Sequence, residues 1–463
     1  MSNGLQLVSP VDGSIYVERP YATREDVDAT FRRAAKAQGA WKLVPLAERA
    51  ALLSRFVDRF LEMTDDIVPE LAWQMGRPVA YGAGEVKGFE DRARHMISIA
   101  GEALAPIHPA PVDGFERYIK REPLGVVFTI AAWNYPYLIA VNSVVPALMA
   151  GNTVVLKHSG QTPLCAERMA EAFEKAGAPD ALFQILHLDH DLTAKAVQHP
   201  DCAYVAFTGS VGGGYAIQKA AVERFIGVGL ELGGKDPAYV RADADLSFAV
   251  EGLVDGAFFN SGQSCCGKER IYVDASVYDD FVEQFVALAK GYVLGNPLDT
   301  STTIGPMVRS SAAAYVRGQI ADAVRAGAKS LIPESHFAGS QEGTPYLGPQ
   351  VLVDVDHSME IMTEETFGPA IGIMKVAGDQ EALRLMNDSR YGLTASVWTK
   401  DVEAARHIGD HVQTGTWFMN RCDYLDPALA WTGVKDSGRG ATLSAVGYEH
   451  LTRPKSYHLR TAT

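Results

Sequence analysis

The hydrophobic pattern changes character about a quarter of the way along the chain. Over the first 110 residues the apolar positions recur at helical spacing, as in RAALLSRFVDRFLEM, which predicts a largely helical start. From residue 125, short apolar runs alternate with helical stretches; these runs are GVVFTIA, TVVLK, LFQIL, AYVAFTG and GVGLEL. Five buried strands joined by helical crossovers predict a parallel, doubly wound α/β sheet.

A second α/β pattern follows the first. The helix-like run DLSFAVEGLVDGAFF precedes the strand-like RIYV, then amphipathic helices, and finally IGIMKV, ASVWT and GTWFMN. At 463 residues the chain is also too long for one small core. Both observations predict two α/β domains.

Composition excludes several classes of protein. Apolar residues make up 47% of the chain and charged residues 21%, as in ordinary globular proteins. The net charge of −14 would repel nucleic acid and anionic membranes. The five cysteines are too few for a disulfide framework, and the first residues lack the pattern of a signal peptide. We therefore expect a cytoplasmic protein with neither a nucleic-acid nor a membrane partner.

A glycine-rich turn is the first candidate site. In FTGSVGGGYAIQKAA a strand runs into glycines and then into a helix, where backbone N–H groups can meet a phosphate. Gly209 and Gly214 have the spacing of a P-loop, but Tyr215 and Ala216 follow where that motif needs Lys and Ser or Thr. The G-x-G-x-x-G dinucleotide pattern is also missing. A cofactor turn and a purely structural turn both stay open.

A single carboxylate ends an otherwise apolar strand in GVGLELGGKDP. Glu231 has three interpretations: a solvated charge, an acid on a cofactor ribose, or a catalytic base. The carboxyl end of a strand is where α/β folds place functional groups, which favours the latter two.

Two adjacent cysteines stand in NSGQSCCGKERIYV. A cysteine attacks as thiolate, so its free pKa of about 8.5 must be lowered, whereas most lone cysteines are buried structural residues. A Cys/His hydrolase is the other enzymatic interpretation, but no cysteine-protease signature is present. Position alone does not show whether Cys265 or Cys266 is a nucleophile, or whether both cysteines are structural residues.

Seven segments in order resemble the aldehyde dehydrogenase superfamily: AAWNYP, AGNTVVLKHS, FTGS, LELGGKDP, GQSCC, EETFGP and WTGVKDSGRG. The resemblance covers nearly the whole chain. It implies a Rossmann-type cofactor domain from 1–104 and 124–233, and a catalytic domain from 234–448. It also implies an oligomerisation element from 105–123 and 449–463, and hence a homodimer or homotetramer.

The resemblance also implies the chemistry. The Gly-Gln-x-Cys register makes Cys265 the nucleophile that attacks an aldehyde, giving a thiohemiacetal and then a thioester. Asn134 and the Cys265 N–H would hold the oxyanion, and Glu231 would activate the water that releases a carboxylic acid. An acylating, CoA-dependent relative and a catalytically silent one are the alternatives. Glu231 argues against the former, and the complete set of Asn134, Glu231 and Cys265 against the latter.

The cofactor implied is NAD or NADP, with no metal. Lys157 would bind the adenosine ribose, Ser210 the pyrophosphate, and Glu365 and Phe367 the nicotinamide ribose and ring; without the resemblance, Lys157 and Phe367 would be interpreted as ordinary structural residues. The remaining implied cofactor residues are Trp133, Gly160, Phe207, Gly209 and Leu232. The residues expected around the aldehyde are Tyr135, Leu138, Asn142, Ser264, Leu425 and Trp431. Asp423 and Asp426 nearby hint at a cationic aminoaldehyde.

The chain departs from the family pattern at several positions. Ala132 replaces a proline, Ser143 replaces a lysine of the active-site helix, and HLDHD at 187–191 replaces a glycine-bearing loop. Gly160 stands where members that prefer NAD carry Glu. Because a carboxylate there would repel the extra phosphate of NADP, we expect this chain to use both cofactors or to favour NADP.

Overall fold

The computed structural model describes residues 4–462. Its helices are α1 Arg24–Trp41, α2 Leu46–Leu61, α3 Thr64–Met75, α4 Val79–Ala103, α5 Pro136–Ala150, α6 Pro163–Lys175, α7 His190–Gln198, α8 Val211–Ala220, α9 Leu246–Phe258, α10 Tyr278–Ala289, α11 Ser310–Arg325, α12 Glu360–Thr363, α13 Asp379–Asn387, α14 Val402–Gly409 and α15 Ser444–Glu449. Its strands are β1 Gly4–Val8, β2 Ile15–Pro20, β3 Phe115–Pro123, β4 Val126–Ala131, β5 Thr153–His158, β6 Phe183–Ile185, β7 Cys202–Thr208, β8 Gly227–Glu231, β9 Asp236–Val240, β10 Lys268–Asp274, β11 Lys329–Ser330, β12 Gln350–Val353, β13 Ala370–Val376, β14 Thr394–Trp398, β15 Thr416–Met419, β16 Gly438–Arg439 and β17 Thr452–Arg460.

The first large sheet has six strands in the order β16-β8-β7-β4-β5-β6. The five strands predicted from the sequence pair in parallel, and β16 joins the edge antiparallel to β8. Alternate residues of β4 enter different cores: Val127 packs with α2, α4 and α5, whereas Phe128 packs with α1 and α7. Helices therefore cover both faces, which confirms the predicted doubly wound sheet.

The second large sheet has seven strands in the order β11-β12-β13-β10-β9-β14-β15. All neighbouring pairs are parallel except β11 with β12. Its two faces also contribute to different cores, since Ile271 of β10 packs against α9 and α10 whereas Tyr272 packs against α11 and α13. The predicted second α/β unit is thus present.

The N-terminus differs from the helical prediction. Residues 4–20 form an antiparallel hairpin of β1 and β2 before the first helix begins. Leu5 and Leu7 are buried while their neighbours face outward, the period-2 alternation of a strand. Gly13, with φ of +77°, lies in the connecting turn after Asp12. The hairpin was not predicted because its two strands are short and the long helical pattern after residue 20 dominates this part of the sequence.

A small sheet pairs β3 with β17 along their whole length, from Thr452 opposite Pro123 to Arg460 opposite Phe115. It joins the two chain segments that were assigned to an oligomerisation element. The three-part domain division stays a prediction, since β16 comes from the segment 234–448 but lies beside Glu231 in the first sheet. Among the helices of residues 4–462, none has the length and apolarity to cross a membrane.

Candidate active site

The two cysteines lie on a tight loop between α9 and β10. Three consecutive residues before them, Asn260, Ser261 and Gly262, have left-handed φ values of 54°, 58° and 68°. At Gly262 an added Cβ would lie 2.2 Å from the Gly368 carbonyl oxygen, so only glycine fits. The strained turn is held by hydrogen bonds, among them one from Ser261 Oγ to the Gly305 carbonyl at 2.8 Å. The loop therefore presents the following residues in a fixed orientation.

Cys265 and Cys266 have different surroundings. Cys266 is 3% exposed, and its thiol donates to Asp423 Oδ1 over 2.9 Å. Its hydrogen bond to Cys265, its burial and the charge of Asp423 hold the pKa of Cys266 well above its ordinary value. A thiol held neutral is a poor nucleophile. Cys265 is only half-buried and faces a cavity, which is what an attacking thiolate needs.

Asn134 lies beside the cysteine loop, just ahead of α5. It is 3% exposed, and its Nδ2 donates to the Gln263 carbonyl over 3.2 Å. Asn260 Nδ2 donates to the Asn134 carbonyl over 3.1 Å, so the cysteine loop and the Asn134 segment hold each other. A side-chain amide carries two N–H donors, and the Gln263 contact accounts for one of them. That the other N–H binds an oxyanion stays a prediction, since Asn134 is not among the residues that line the cavity beside Cys265.

A buried ion pair supports Asn134 and was missed in the sequence. Arg77 and Glu85 are both almost completely buried and are bonded to each other. Arg77 Nη2 donates to the Asn134 carbonyl over 2.6 Å, while Glu85 Oε1 accepts from the N–H groups of Tyr137 and Leu138 at 3.0 and 3.2 Å. The pair therefore fixes the start of α5 from two sides.

We expect the Glu85→Gln variant to be destabilised by roughly 3–5 kcal/mol, because it leaves Arg77 as an uncompensated buried charge. Glutamine has nearly the same shape and can still accept from the helix N–H groups. The measurement is the free energy of unfolding in urea. The matched control is Glu62→Gln, which removes an exposed pair with Arg59 and should cost about 0–1 kcal/mol. Equal losses in the two variants would contradict this role.

Glu231 ends β8 at the edge of the cavity that Cys265 lines. Its Oε1 accepts from Thr442 Oγ1 at 2.6 Å and its Oε2 from Thr208 Oγ1 at 3.0 Å. Burial raises the pKa of Glu231 above its usual 4.5, against the two threonine hydrogen bonds and the charge of Arg92, which lower it. A carboxylate with a raised pKa is a better base.

The cavity beside Cys265, called the Cys265 cavity below, has a volume of about 370 Å³. Five of the six residues expected around the aldehyde line it: Tyr135, Leu138, Asn142, Leu425 and Trp431. Ser264 is 2% exposed and is not among its lining residues. Its Oγ instead donates to Asp423 over 3.0 Å. Asp426 accepts from the Ala428 N–H in a turn.

A second cavity, called the Ser210 cavity below, has a volume of about 420 Å³ and lies between the two large sheets' loops. Trp133, Ser210, Glu365 and Phe367 line it. Ser210 caps α8 by accepting from the Gly213 N–H at 3.1 Å, and the remaining N–H groups of the first turn favour an anion. The rings of Trp133 and Phe367 meet edge to face, 5.6 Å apart.

Another buried acid holds the Glu365–Phe367 segment and was not anticipated. Glu269 accepts from the N–H groups of Thr366 and Phe367 at 2.7 and 2.8 Å and pairs with Lys235 Nζ at 2.8 Å. Glu365 itself accepts from the Gly234 N–H at 3.1 Å. Burial and the charge of Glu269 raise the pKa of Glu365 to about 8. A Glu365 carboxyl of this kind can donate to or accept from a ribose hydroxyl.

The other residues implied for the cofactor lie on the first sheet. Gly209 N–H donates to the Glu231 carbonyl at 3.0 Å, beside Phe207 near the end of β7. Leu232 N–H donates to the Ser437 carbonyl at 3.1 Å.

Lys157 lies near the end of β5, and burial lowers its pKa. Gly160 follows in the next turn, and neither residue lines the Ser210 cavity.

These features fit a dinucleotide. A helix N-terminus beside a strand end suits a pyrophosphate, and the Ser210 cavity adds a carboxyl and an aromatic ring suited to a ribose and a flat base. Residues 4–462 contain no cluster of His, Cys, Asp and Glu side chains that could hold a metal ion.

Comparison with known proteins agrees with this arrangement. A model of the aldehyde dehydrogenase family matches residues 1–457. The chain is 32% identical to succinate-semialdehyde dehydrogenase [NADP(+)] 1 of Mycobacterium bovis over 97% of this chain and 98% of the relative. It is 34% identical to phenylacetaldehyde dehydrogenase of Pseudomonas fluorescens over 98% of this chain and 92% of the relative.

A solved structure is similar throughout. The NADP-dependent glyceraldehyde-3-phosphate dehydrogenase of Bacillus halodurans, complexed with NADP, has a TM-score of 0.93 and 33% identity, covering 100% of this chain and 96% of that one. The chain therefore belongs to the aldehyde dehydrogenase family. It is an NAD(P)-dependent enzyme that oxidises aldehydes to carboxylic acids.

Proposed function

We propose that the aldehyde is oxidised on Cys265 in the Cys265 cavity. The Cys265 thiolate adds to the aldehyde carbon, and the resulting oxyanion accepts hydrogen bonds from Asn134 Nδ2 and the Cys265 N–H. A bound nicotinamide supplies the hydride acceptor. Loss of hydride leaves the acyl group on Cys265 as a thioester. The observation that carries this proposal is the joint placement of Cys265 and Glu231 on one cavity wall.

Glu231 then takes a proton from water, which attacks the thioester carbon and releases the acid and the Cys265 thiolate. This step makes the enzyme non-acylating. The test is product stoichiometry without added CoA: one carboxylic acid should form for every reduced cofactor. A turnover that requires CoA would favour the acylating alternative, and no turnover with any aldehyde would favour a silent relative.

The nicotinamide cofactor is proposed to bind in the Ser210 cavity. Ser210 and the first turn of α8 hold the pyrophosphate, and Glu365 and Phe367 place the nicotinamide ribose and ring. Lys157, near the end of β5 and two strands away from β7 in the sheet, is proposed to bind the adenosine ribose, and Gly160 follows it by three residues. Trp133, Phe207, Gly209 and Leu232 complete the proposed surface.

We expect the Gly160→Glu variant to lose NADP efficiency relative to NAD by about one to three powers of ten. A carboxylate close to the extra phosphate of NADP costs roughly 1–4 kcal/mol, and the wild-type glycine avoids that repulsion. The wild type should therefore accept both cofactors or favour NADP. The measurement is kcat/KM for each cofactor at saturating aldehyde.

Gly160→Gln is the matched control for size. An added Cβ would lie 3.2 Å from Leu5 Cδ1, so both variants must displace the same neighbour. If glutamine lowers the NADP preference as much as glutamate, bulk rather than charge is responsible. A wild type that is strictly dependent on NAD would overturn the prediction.

A homodimer or homotetramer is the proposed assembly. Among residues 4–462 the strand β17 pairs with β3 alone, and most of its residues are exposed. Val222 and Phe225 also expose large apolar surfaces. A cytoplasmic location and the absence of nucleic-acid and membrane partners are part of the same proposal, supported by the net charge of −14. Light scattering at several concentrations tests the assembly.

A further inference from the structure

Arg92 of α4 places a guanidinium group in the wall of the Cys265 cavity. Only 8% of its surface is accessible. Burial lowers the pKa of Arg92, against the charges of Glu85 and Glu231, which raise it. A cation is therefore buried in the lining of the cavity that Cys265 and Glu231 share, between apolar and aromatic residues on one hand and several carboxylates on the other.

Arg92 has no carboxylate within 4.0 Å among residues 4–462. Its Nη1 donates to the Leu138 carbonyl at 2.9 Å and to Asn142 Oδ1 at 3.2 Å, and both acceptors are uncharged. A guanidinium carries five N–H donors, and the hydrogen bonds of Arg92 within residues 4–462 use Nη1 alone. Burying such a group is costly unless it is paired. Its neighbour Arg77, by contrast, has Glu85.

Five carboxylates line the cavity: Glu85, Asp91, Glu231, Asp255 and Asp423. Glu85 pairs with Arg77, and Glu231 accepts from Thr208 and Thr442. Asp91 pairs with Lys87 Nζ at 2.8 Å. Asp423 accepts from Ser264 and Cys266. Asp255 is exposed. Among residues 4–462 none of these acids forms an ion pair with Arg92, so they do not neutralise it by direct contact.

We propose that Arg92 binds the anionic end of the substrate, and that the enzyme acts on aldehydes carrying a carboxylate at their far end. This inference rests on the proposed reaction at Cys265 and adds the substrate class. A guanidinium binds a carboxylate through two parallel N–H···O bonds. Such a contact supplies the missing counter-charge for Arg92, while the aldehyde carbon meets Cys265. The semialdehydes of short dicarboxylic acids have this chemistry.

The test compares matched aldehydes. A series of dicarboxylic semialdehydes of increasing length is assayed beside the methyl ester of each, the plain alkanal and the amino-aldehyde of equal length. The wild type should favour the carboxylate over its ester by roughly 10- to 100-fold in kcat/KM at the best chain length, the scale of a charge-assisted hydrogen bond. This comparison needs no variant and so does not depend on folding.

Arg92→Gln should reduce the carboxylate-to-ester ratio of kcat/KM to near one, and Arg92→Lys should retain an intermediate ratio because it keeps the charge but loses the planar fork. The matched control is Arg94→Gln on the same helix, whose guanidinium pairs with Asp58 and Glu90 and does not line the cavity, and which should leave the ratio within about twofold. A preference for the amino-aldehyde, or a ratio that Arg92→Gln does not change, would overturn the inference. Failure to oxidise any of the aldehydes would instead overturn the proposed reaction at Cys265.

Discussion

The Cys265→Ser variant should lose aldehyde oxidation by a factor on the order of 10³ or more, while Cys266→Ser keeps substantial activity. A serine hydroxyl at position 265 lacks the acidity and nucleophilicity of a thiol. At position 266 the thiol is a buried hydrogen-bond donor to Asp423, and a serine hydroxyl can donate there in its place. The two variants are thus matched in chemistry and differ only in position.

Two measurements distinguish the role of Cys265 from that of Cys266. Steady-state kcat/KM reports turnover, and labelling with iodoacetamide reports the reactive thiol, which should disappear in Cys265→Ser alone. A Cys266→Ser variant without activity, beside an active Cys265→Ser, would place the nucleophile one residue later. Loss of activity in both, with unchanged thermal stability, would mean that the Cys266–Asp423 contact is itself needed to present Cys265.

Much of the fold was predictable because the central strands of both large sheets, such as β4, β5 and β10, are buried on both faces. In β4 every residue is buried, so the strand appears in the sequence as a continuous apolar run. The strand β9, with the sequence DPAYV, was missed because Pro237 and a charged first residue hide a strand that is completely buried. The hairpin of β1 and β2 was missed because it is short. These strands were therefore missed because of their local sequence. The order of the strands within each sheet is a different matter, because it depends on contacts between distant parts of the chain.

The site was only partly predictable. The motifs predicted side chains for substrate and cofactor, but not the buried charged residues that contact those segments. Arg77 precedes α4, and Glu85 and Arg92 lie on α4, whose charged residues would normally face water. Only the packing of α4 against α5 turns their side chains inward. The role of Asp423 also depends on tertiary contacts. An aspartate in a loop is usually solvated, but in the structure Asp423 accepts a hydrogen bond from Ser264.

Glu231→Gln should reduce steady turnover by a factor on the order of 10² or more while preserving one burst of reduced cofactor per active site. Glutamine has the size of glutamate and can keep accepting from Thr208 and Thr442, but it cannot take a proton from water. The thioester on Cys265 should therefore accumulate after a single hydride transfer. Stopped-flow absorbance gives the burst, and mass spectrometry of the quenched protein gives the acyl adduct.

The pH dependence of deacylation provides an independent check on the same base. Glu231 must be ionised to act, so turnover should fall as the pH drops through its pKa, which burial places above 4.5. Thr442→Val removes a hydrogen bond that favours the charged form, so the pKa should rise and the acidic limb of kcat should move to higher pH. In Glu231→Gln that limb should vanish from the residual turnover. A burst lost together with the steady state would mean that Glu231 also activates Cys265, and an unchanged steady state would leave it as a structural charge.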